Sequence, residues 1–169
     1  GTRPVLVEIQ ALVTPSTLGT PRRAVIGWDS GRLAMVLAVL QARCGLVLGA
    51  ADVYLNVAGG LRISEPAADL AVAAALLSAY SGITAPASTV IFGEVGLGGE
   101  IRAVGHAEAR LKEAEKLGFR HAITPPRHRK KGRDTGQTSG VEIRQMDHIR
   151  DLMTLFDVRP SSGSALAAV

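Results

Sequence analysis

The amino-acid sequence predicts an α+β fold of mixed α/β character in a single domain. Short aliphatic strand patterns and helical apolar patterns follow one another without a strict strand–helix–strand repeat and without internal repeats. The 169 residues, 47% of them hydrophobic, are enough for one sizeable core. Because only 4% of the residues are aromatic, we expect that core to consist of Ala, Val, Leu and Ile.

The N-terminal part contains three predicted strands, at 5–13, 22–29 and 52–60. Ser30 is the predicted N-cap of a helix between the second and third strands. The apolar residues on one face of this helix are Leu33, Val36, Leu37 and Leu40.

A second helix is predicted at 66–81. Pro66 suits its first turn, and Gly82 suits the position just past its end. Alanine, leucine and valine cover nearly every face, so we expect this helix to be buried on several sides.

The C-terminal half is predicted to start with two short strands within 88–104, joined at the glycine pair 98–99. An amphipathic helix follows at 106–118, where Glu108 and Lys112 have the i,i+4 spacing of a stabilising pair.

Two further strands, at 119–125 and 140–146, precede a last helix that Asp147 is predicted to cap. We expect the domain to occupy residues 1–156, and residues 157–169 to form a flexible tail.

Cysteine use and hydropathy narrow the class of protein. The single cysteine, Cys44, excludes an internal disulfide and a cysteine-based zinc site; it fits a reduced cytoplasm and is expected to serve packing. No apolar run reaches the roughly 18 uncharged residues that span a membrane. The first residues lack a signal-peptide layout and pass directly into a strand pattern, which suggests a piece of a longer protein.

Positive charge is concentrated in one short stretch, residues 127–133, which we name the basic segment. The net charge is +4, from 19 basic and 15 acidic residues. The segment holds five of the basic residues, our candidate DNA-binding residues: Arg127, Arg129, Lys130, Lys131 and Arg133. Such residues gain affinity for phosphates by releasing counterions, and nearby glycines suit backbone contact better than base reading. The alternative is a solvated loop whose charge aids solubility.

Arg22 and Arg23 form a second, smaller basic pair. A position at a strand edge or an interface explains this pair at least as well as DNA contact, so the two arginines are the weaker candidates for DNA binding.

Two segments carry a family resemblance, "NVAGGLRISEPAADLA" and "GEVGLGGEIRAVGHAEARLKEAEKLGF". In order and spacing they resemble the proteolytic domain of Lon proteases, over most of residues 5–156. In that family a Gly-Pro-Ser-Ala-Gly helix start carries the serine nucleophile. A helix that follows a glycine-rich hairpin carries the lysine base. The resemblance implies a two-layer fold like that of the Lon proteolytic domain.

The positions that match the Lon dyad lack both chemical groups. The segment 65–69 matches the nucleophile segment and puts Ala67 at the serine position, while Glu108 stands at the lysine position. A methyl group cannot attack a carbonyl, and a carboxylate cannot replace the neutral amine that accepts the serine proton. We therefore expect no catalytic residues and no enzyme activity in this chain.

Other polar residues near these positions have weaker claims to a role. The positions of these residues along the chain disfavour a rearranged dyad. The candidates for such a dyad are Ser64, Ser78, Ser81 and Lys112. Glu65 and Asp69 are interpreted as acidic residues that favour the positive end of the helix. A subunit contact or a role in the former site is the alternative for these two.

A second resemblance is carried by "VYLNVAGGLRISEPAADLAVAAALLS", "GEVGLGGEIRAV" and "GWDSGRLAMVLAVLQARCGL". These segments resemble the C-terminal domain of the RadA (Sms) family of bacterial DNA-repair ATPases, which join a zinc finger, a RecA-like ATPase core and a Lon-like domain. The resemblance implies a cytoplasmic, nucleoid-associated parent protein that promotes branch migration together with the RecA recombinase. It also implies a non-proteolytic domain that assembles a hexameric ring and contacts single-stranded or branched DNA.

The sequence contains no G-x-x-x-x-G-K-[ST] phosphate loop and no Cys-x-x-Cys motif. We expect no cofactor or metal in this chain; ATP, Mg and Zn are expected only in other parts of the parent protein. No membrane partner is expected. Three hypotheses remain: a DNA-binding scaffold, an active Ser–Lys peptidase, and an oligomerisation module without DNA contact.

Overall fold

Helices and strands are mixed along the chain without a strict repeat, which confirms the predicted α+β class. The computed structural model describes residues 3–17, 19–127 and 140–159. In these parts of the chain, two three-stranded sheets, a two-stranded hairpin and four α-helices are present.

The first sheet has the strand order β1-β3-β2. Strand β1 is Ile9–Pro15, β2 is Arg23–Ile26 and β3 is Ala51–Val57. The outer strand β1 runs antiparallel to the central strand β3, and the other outer strand, β2, runs parallel to β3. The parallel pair requires a crossover, which the first helix provides.

Strand β1 begins four residues later than the sequence predicts. Its first residue, Ile9, pairs with Val57, the last residue of β3. Residues 58–60 turn away as a short 3₁₀ helix, so the pairing ends with the hydrogen bond from the N–H of Ala58 to the carbonyl of Glu8 at 2.9 Å.

Helix α1 is Ser30–Cys44, and its cap differs from the prediction. Asp29, not Ser30, is the N-cap: a carboxylate oxygen of Asp29 accepts a hydrogen bond from the backbone N–H of Arg32 at 2.8 Å. Aspartate at this position satisfies an N–H group that the helix leaves unpaired. The four apolar residues predicted to share its inner face are buried.

Helix α2 is Asp69–Ser81, preceded by a 3₁₀ turn at Pro66–Ala68. It ends where predicted, because Gly82 adopts the left-handed conformation and donates its N–H to the carbonyl of Ser78. The helix packs between β1, α1 and the hairpin. Its buried residues lie on several faces, as predicted: Asp69, Leu70, Val72, Ala73, Ala74, Leu76 and Leu77.

The second sheet is parallel, with strand order β4-β7-β8. Strand β4 is Thr89–Ile91, β7 is His121–Thr124 and β8 is Glu142–Gln145. The sequence predicts two strands within 88–104 and the structure has three: β4 joins this sheet through its pairing with the distant β7, and the other two form a hairpin.

The hairpin consists of β5 (Glu94–Val95) and β6 (Ile101–Arg102). The predicted glycine pair lies within a five-residue loop, 96–100, closed by a hydrogen bond between the N–H of Gly96 and the carbonyl of Glu100. It is therefore not a two-residue turn.

The last two helices are α3 (Ala107–Lys116) and α4 (Arg150–Leu155). The predicted cap at Asp147 was wrong: α4 begins after Ile149, with no side-chain cap. The backbone carbonyl of Asp147 instead accepts a hydrogen bond from the N–H of Ile101 at 2.9 Å, because this segment runs beside the hairpin.

The main core lies between the first sheet and helices α1, α2 and α4, and it is largely aliphatic, as expected. A smaller core joins the second sheet to α3: Phe92, Leu111, Ala122 and Val141. At the C-terminal end, Phe156 is fully buried and Val158 packs against the main core. Residues 160–169 of the predicted tail lie outside the described residues.

Candidate functional site

The turn that precedes α2 is fixed by the backbone. The carbonyl of Ala67 accepts a hydrogen bond from the N–H of Gly93 at 2.9 Å, and the carbonyl of Gly93 accepts one from the N–H of Leu70 at 3.0 Å. Ala67 is 6% exposed, and its methyl group provides no nucleophile.

Asp69 is the charged centre of this turn. It is 0% exposed, and its two carboxylate oxygens accept hydrogen bonds from Nε and Nη2 of Arg32, at 2.9 and 2.5 Å. The backbone N–H of Val95 donates to the same carboxylate at 3.1 Å. The hydrogen bond to Asp69 raises the pKa of Arg32 above its ordinary value. These hydrogen bonds of Asp69 therefore connect α1, α2 and β5. The sequence predicted only an interaction of Asp69 with the end of its own helix.

Glu108 lies in the first turn of α3, where it faces a positive charge. One of its carboxylate oxygens is 3.7 Å from Nη2 of Arg127. The predicted i,i+4 partner, Lys112, is exposed on the same helix. Of the five candidate DNA-binding residues, Arg127 is the one that the structure describes. Arg129, Lys130, Lys131 and Arg133 lie outside the described residues.

Arg110 connects α3 to the turn before α2. Its Nη2 is 3.0 Å from a carboxylate oxygen of Glu65, and its Nε donates to the carbonyl of Gly105 at 3.0 Å. The guanidinium carbon lies 6.0 Å from the ring centre of Phe92. These contacts bring the segments of Ala67 and Glu108 to one side of the molecule, although they are about 40 residues apart in sequence.

A cavity of about 500 Å³ adjoins the first turn of α3, and we name it the α3 cavity. Apolar side chains form most of its wall, among them Phe92, Val104 and Leu111. Its polar lining includes Glu108 and Arg127. This combination of apolar walls and a few polar groups is typical of small-ligand sites. The sequence did not reveal the cavity, because its lining comes from three separate segments, 92, 103–111 and 124–127.

Arg22 and Arg23 lie at the start of β2, and the guanidinium of Arg23 has local partners. It donates to the carbonyl of Leu48 at 2.9 Å and to that of Ala51. The backbone N–H of Arg22 donates to the carboxylate of Asp52 at 2.7 Å. The side-chain contacts of Arg23 agree with the strand-edge interpretation, and DNA contact by the pair stays a prediction.

The three serines considered for a rearranged dyad all lie among the described residues. Ser78 and Ser81 are at the far end of α2, where the hydroxyl of Ser78 donates to the carbonyl of Ile83 at 2.7 Å and that of Ser81 to the carbonyl of Ser78 at 3.4 Å. Ser64 is exposed before the 3₁₀ turn.

The glycines of the hairpin loop are explained by turn geometry. Gly99 has a φ of +86°, and a Cβ there would lie 2.5 Å from the imidazole of His148. That imidazole is hydrogen-bonded through Nε2 to the carbonyl of Gly98 at 2.9 Å. In the same loop, hydrogen bonds from its own backbone N–H and from Arg102 hold the pKa of Glu100 below its ordinary value.

Cys44 is a free, buried thiol in the main core. Within the described ranges, no group of three or more His, Cys, Asp or Glu side chains could hold a metal ion. In the same parts of the chain, none of the helices is long and apolar enough to cross a membrane.

The fold and this site define a small α+β domain with an aliphatic core and an apolar cavity at the start of one helix. A family model described as "Subunit ChlI of Mg-chelatase" matches residues 19–128. That match covers more than half of the chain, and the chain belongs to this family.

Similar proteins carry the name "DNA repair protein RadA". The one from Brucella abortus (strain 2308) is 71% identical over 125 residues, which is 74% of this chain and 27% of the relative. The one from Rickettsia bellii (strain RML369-C) is 57% identical, over 73% of this chain and 28% of the relative. The one from Aquifex aeolicus (strain VF5) is 46% identical, over 89% of this chain and 33% of the relative. The chain thus spans about a quarter to a third of the length of these relatives.

Proposed function

We propose that this chain is a non-proteolytic, Lon-like scaffold that binds DNA within a RadA-type DNA-repair ATPase. The similarity to proteins named DNA repair protein RadA supports the repair context. The observation that carries DNA contact is the concentration of five basic residues in the basic segment, which begins at the mouth of the α3 cavity with Arg127. Such a concentration of positive charge attracts the phosphate backbone of DNA.

The non-proteolytic part of the proposal is supported by the chemistry at Ala67 and Glu108. Neither side chain performs the step required of the Lon dyad. The buried pair of Asp69 and Arg32 gives the same turn a structural role. We expect a fluorophosphonate probe to label no serine of this chain, with an active serine hydrolase as the positive control. Stoichiometric labelling of one serine would favour the peptidase alternative.

For the whole protein, we propose the activity implied by the RadA resemblance. Other parts of the parent would bind zinc and hydrolyse ATP with Mg, and the motor would promote branch migration together with RecA in the cytoplasm. The Lon-like domains would form a hexameric ring that holds single-stranded or branched DNA.

DNA contact is tested by fluorescence anisotropy of labelled single-stranded and forked DNA at about 50 mM salt. The test variant replaces all five basic residues of the basic segment with alanine. A matched control also removes five positive charges, from exposed residues elsewhere on the chain: Arg62, Lys112, Lys116, Arg120 and Arg144.

We expect the test variant to lose most of the binding and the control to keep most of it. Equal losses in the two variants would show that only total charge matters. No binding by the unmodified chain would leave the oligomerisation module as the better hypothesis.

A further inference from the structure

We propose that strand β1 and helix α2 form a contact surface for a second copy of this chain, with the free edges of two β1 strands paired antiparallel. We name it the β1–α2 surface; it consists of Ile9–Pro15 and the open face of Asp69–Ser81. Two identical surfaces make a two-fold contact, whereas a ring is closed by head-to-tail contacts, so the inference goes beyond the proposed ring. It does not depend on DNA contact.

The free edge of β1 carries backbone groups without a partner among the described residues. Antiparallel strands use the backbone groups of alternate residues. The N–H of Ala58 donates to the carbonyl of Glu8, so the even-numbered residues of β1 bond to β3. The odd-numbered residues point their N–H and C=O groups away from β3, and nothing in the described ranges bonds to these groups. They are Ile9, Ala11 and Val13, followed by Pro15, which has no N–H.

Neither element of the β1–α2 surface exposes a charged side chain, although 20% of the residues in the chain are charged. Strand β1 has the sequence IQALVTP, and the single charged residue of α2, Asp69, is fully buried beside Arg32. Charges, bulges and prolines normally protect the edge strands of soluble proteins from pairing. Strand β1 has an unbroken register with β3 and a proline only at its last position, so the rest of its edge is open to pairing.

Helix α2 continues this surface beside the edge. It packs against β1, while its neighbour α1 packs against β2 at the opposite edge of the sheet. The side of α2 that α1 does not cover therefore lies beside the free edge of β1. Up to residue 79, the side chains that α2 leaves partly exposed are small and lie on one helix face, which lets a second helix approach closely. These residues are Ala71, Ala75, Ser78 and Ala79.

A pair of β1 strands centred on Ala11 uses every free N–H of the edge. Ala11 then pairs with the second copy's Ala11, and Ile9 with the second copy's Val13, which gives about six backbone hydrogen bonds. On the outer face, Leu12 lies opposite the second copy's Gln10. Leu12 is 56% exposed, so pairing removes apolar surface from water. Because no charges meet across the two-fold axis, the surface is complementary to itself, and we assign it to a second copy rather than to a strand of another protein.

Self-association is measured by sedimentation equilibrium at chain concentrations up to about 0.5 mM, which resolves micromolar dissociation constants. The test variant is Leu12→Lys, because two lysines beside the two-fold axis repel each other and oppose edge pairing. The matched control is Leu117→Lys, at a leucine after α3 that is 53% exposed. We expect the unmodified chain and the control to form dimers, and the test variant to raise the dimer dissociation constant about tenfold or more.

Two results of this experiment would overturn the proposal. An unmodified chain that stays monomeric would leave the edge to a strand of another protein. Dimers that persist in Leu12→Lys would place the contact on another surface, such as one that closes a ring. Neither result bears on DNA contact.

Disulfide formation between mixed chains tests the register. One chain carries Gln10→Cys and the other Leu12→Cys, while the native Cys44 is buried in both. In the proposed register these two positions face each other with Cα atoms about 4.5 Å apart, within disulfide range, whereas two copies of one variant place their new thiols on positions about 8 Å apart, beyond that range. We expect the oxidised mixture to form covalent dimers and each variant alone to form few. Equal yields in all three samples would overturn the pairing centred on Ala11.

Discussion

Asp69 is a fully buried carboxylate whose partners come from two other elements. Arg32 lies 37 residues earlier and Val95 lies 26 residues later. The local sequence shows an acidic residue at a helix start, and the helix-end interaction predicted from it accounts for neither partner. The structural role of Asp69 follows from its burial, because an unpaired charge at that depth costs several kcal/mol.

Breaking this pair should strongly destabilise the fold. We expect Asp69→Asn to lower the free energy of unfolding by about 3 kcal/mol, because the substitution leaves Arg32 without its carboxylate. The control is Glu65→Gln in the same turn, where the carboxylate is 66% exposed and faces Arg110. An exposed pair contributes less than about 1 kcal/mol. Urea denaturation measures both, and equal effects of the two substitutions would contradict the assigned role.

Cys44 gives a pH dependence of defined sign. Burial raises the pKa of its thiol above the ordinary value. A folded-state pKa above the unfolded-state pKa means that this contribution to stability is complete below about pH 8.5 and is lost as the pH rises towards the folded-state pKa. The free energy of unfolding relative to Cys44→Ala, which has no thiol, should therefore decrease from about pH 8 to about pH 10. Urea denaturation across this pH range measures the difference in the free energy of unfolding between the two proteins. A difference that stays constant with pH would contradict the prediction.

At the scale of elements, the helices were more predictable than the strands. The end of α2 follows from Gly82, and the 3₁₀ turn that leads into α2 follows from Pro66; both residues act within a few positions. Strands depend on partners far along the chain: β4 is defined by its pairing with β7, and the start of β1 by the end of β3. The wrong prediction of a cap at Asp147 has the same origin, because the backbone carbonyl of Asp147 accepts a hydrogen bond from the hairpin residue Ile101.

Helix α2 should tolerate little loss of volume on any face. Leu77 is fully buried in the main core, and we expect Leu77→Ala to cost about 2–5 kcal/mol in unfolding free energy through the lost contacts and the cavity left behind. Leu117→Ala, at a leucine that is 53% exposed after α3, is the control and should cost much less. The denaturant midpoints of the two variants measure this difference. Equal midpoints would contradict the central position of α2 in the core.

At the scale of the whole molecule, the candidate site combines segments that no local pattern connects. The sequence identifies Ala67 and Glu108 through the family resemblance, and the basic segment through its concentration of positive charge. It does not show that Arg110 joins Glu65 to Phe92, or that Arg127 stands opposite Glu108. The cavity arises from these long-range contacts, which is why it became visible only in the fold.

The most direct measurement of DNA contact is the salt dependence of single-stranded DNA binding. The logarithm of the binding constant falls against the logarithm of salt concentration by about 0.7 for each phosphate neutralised on a single strand. The account predicts that alanine at all five positions of the basic segment lowers this slope by about 3.5, while the charge-matched control variant keeps the slope of the unmodified chain. A slope unchanged by the five substitutions would contradict the account and assign the phosphate contacts to another surface.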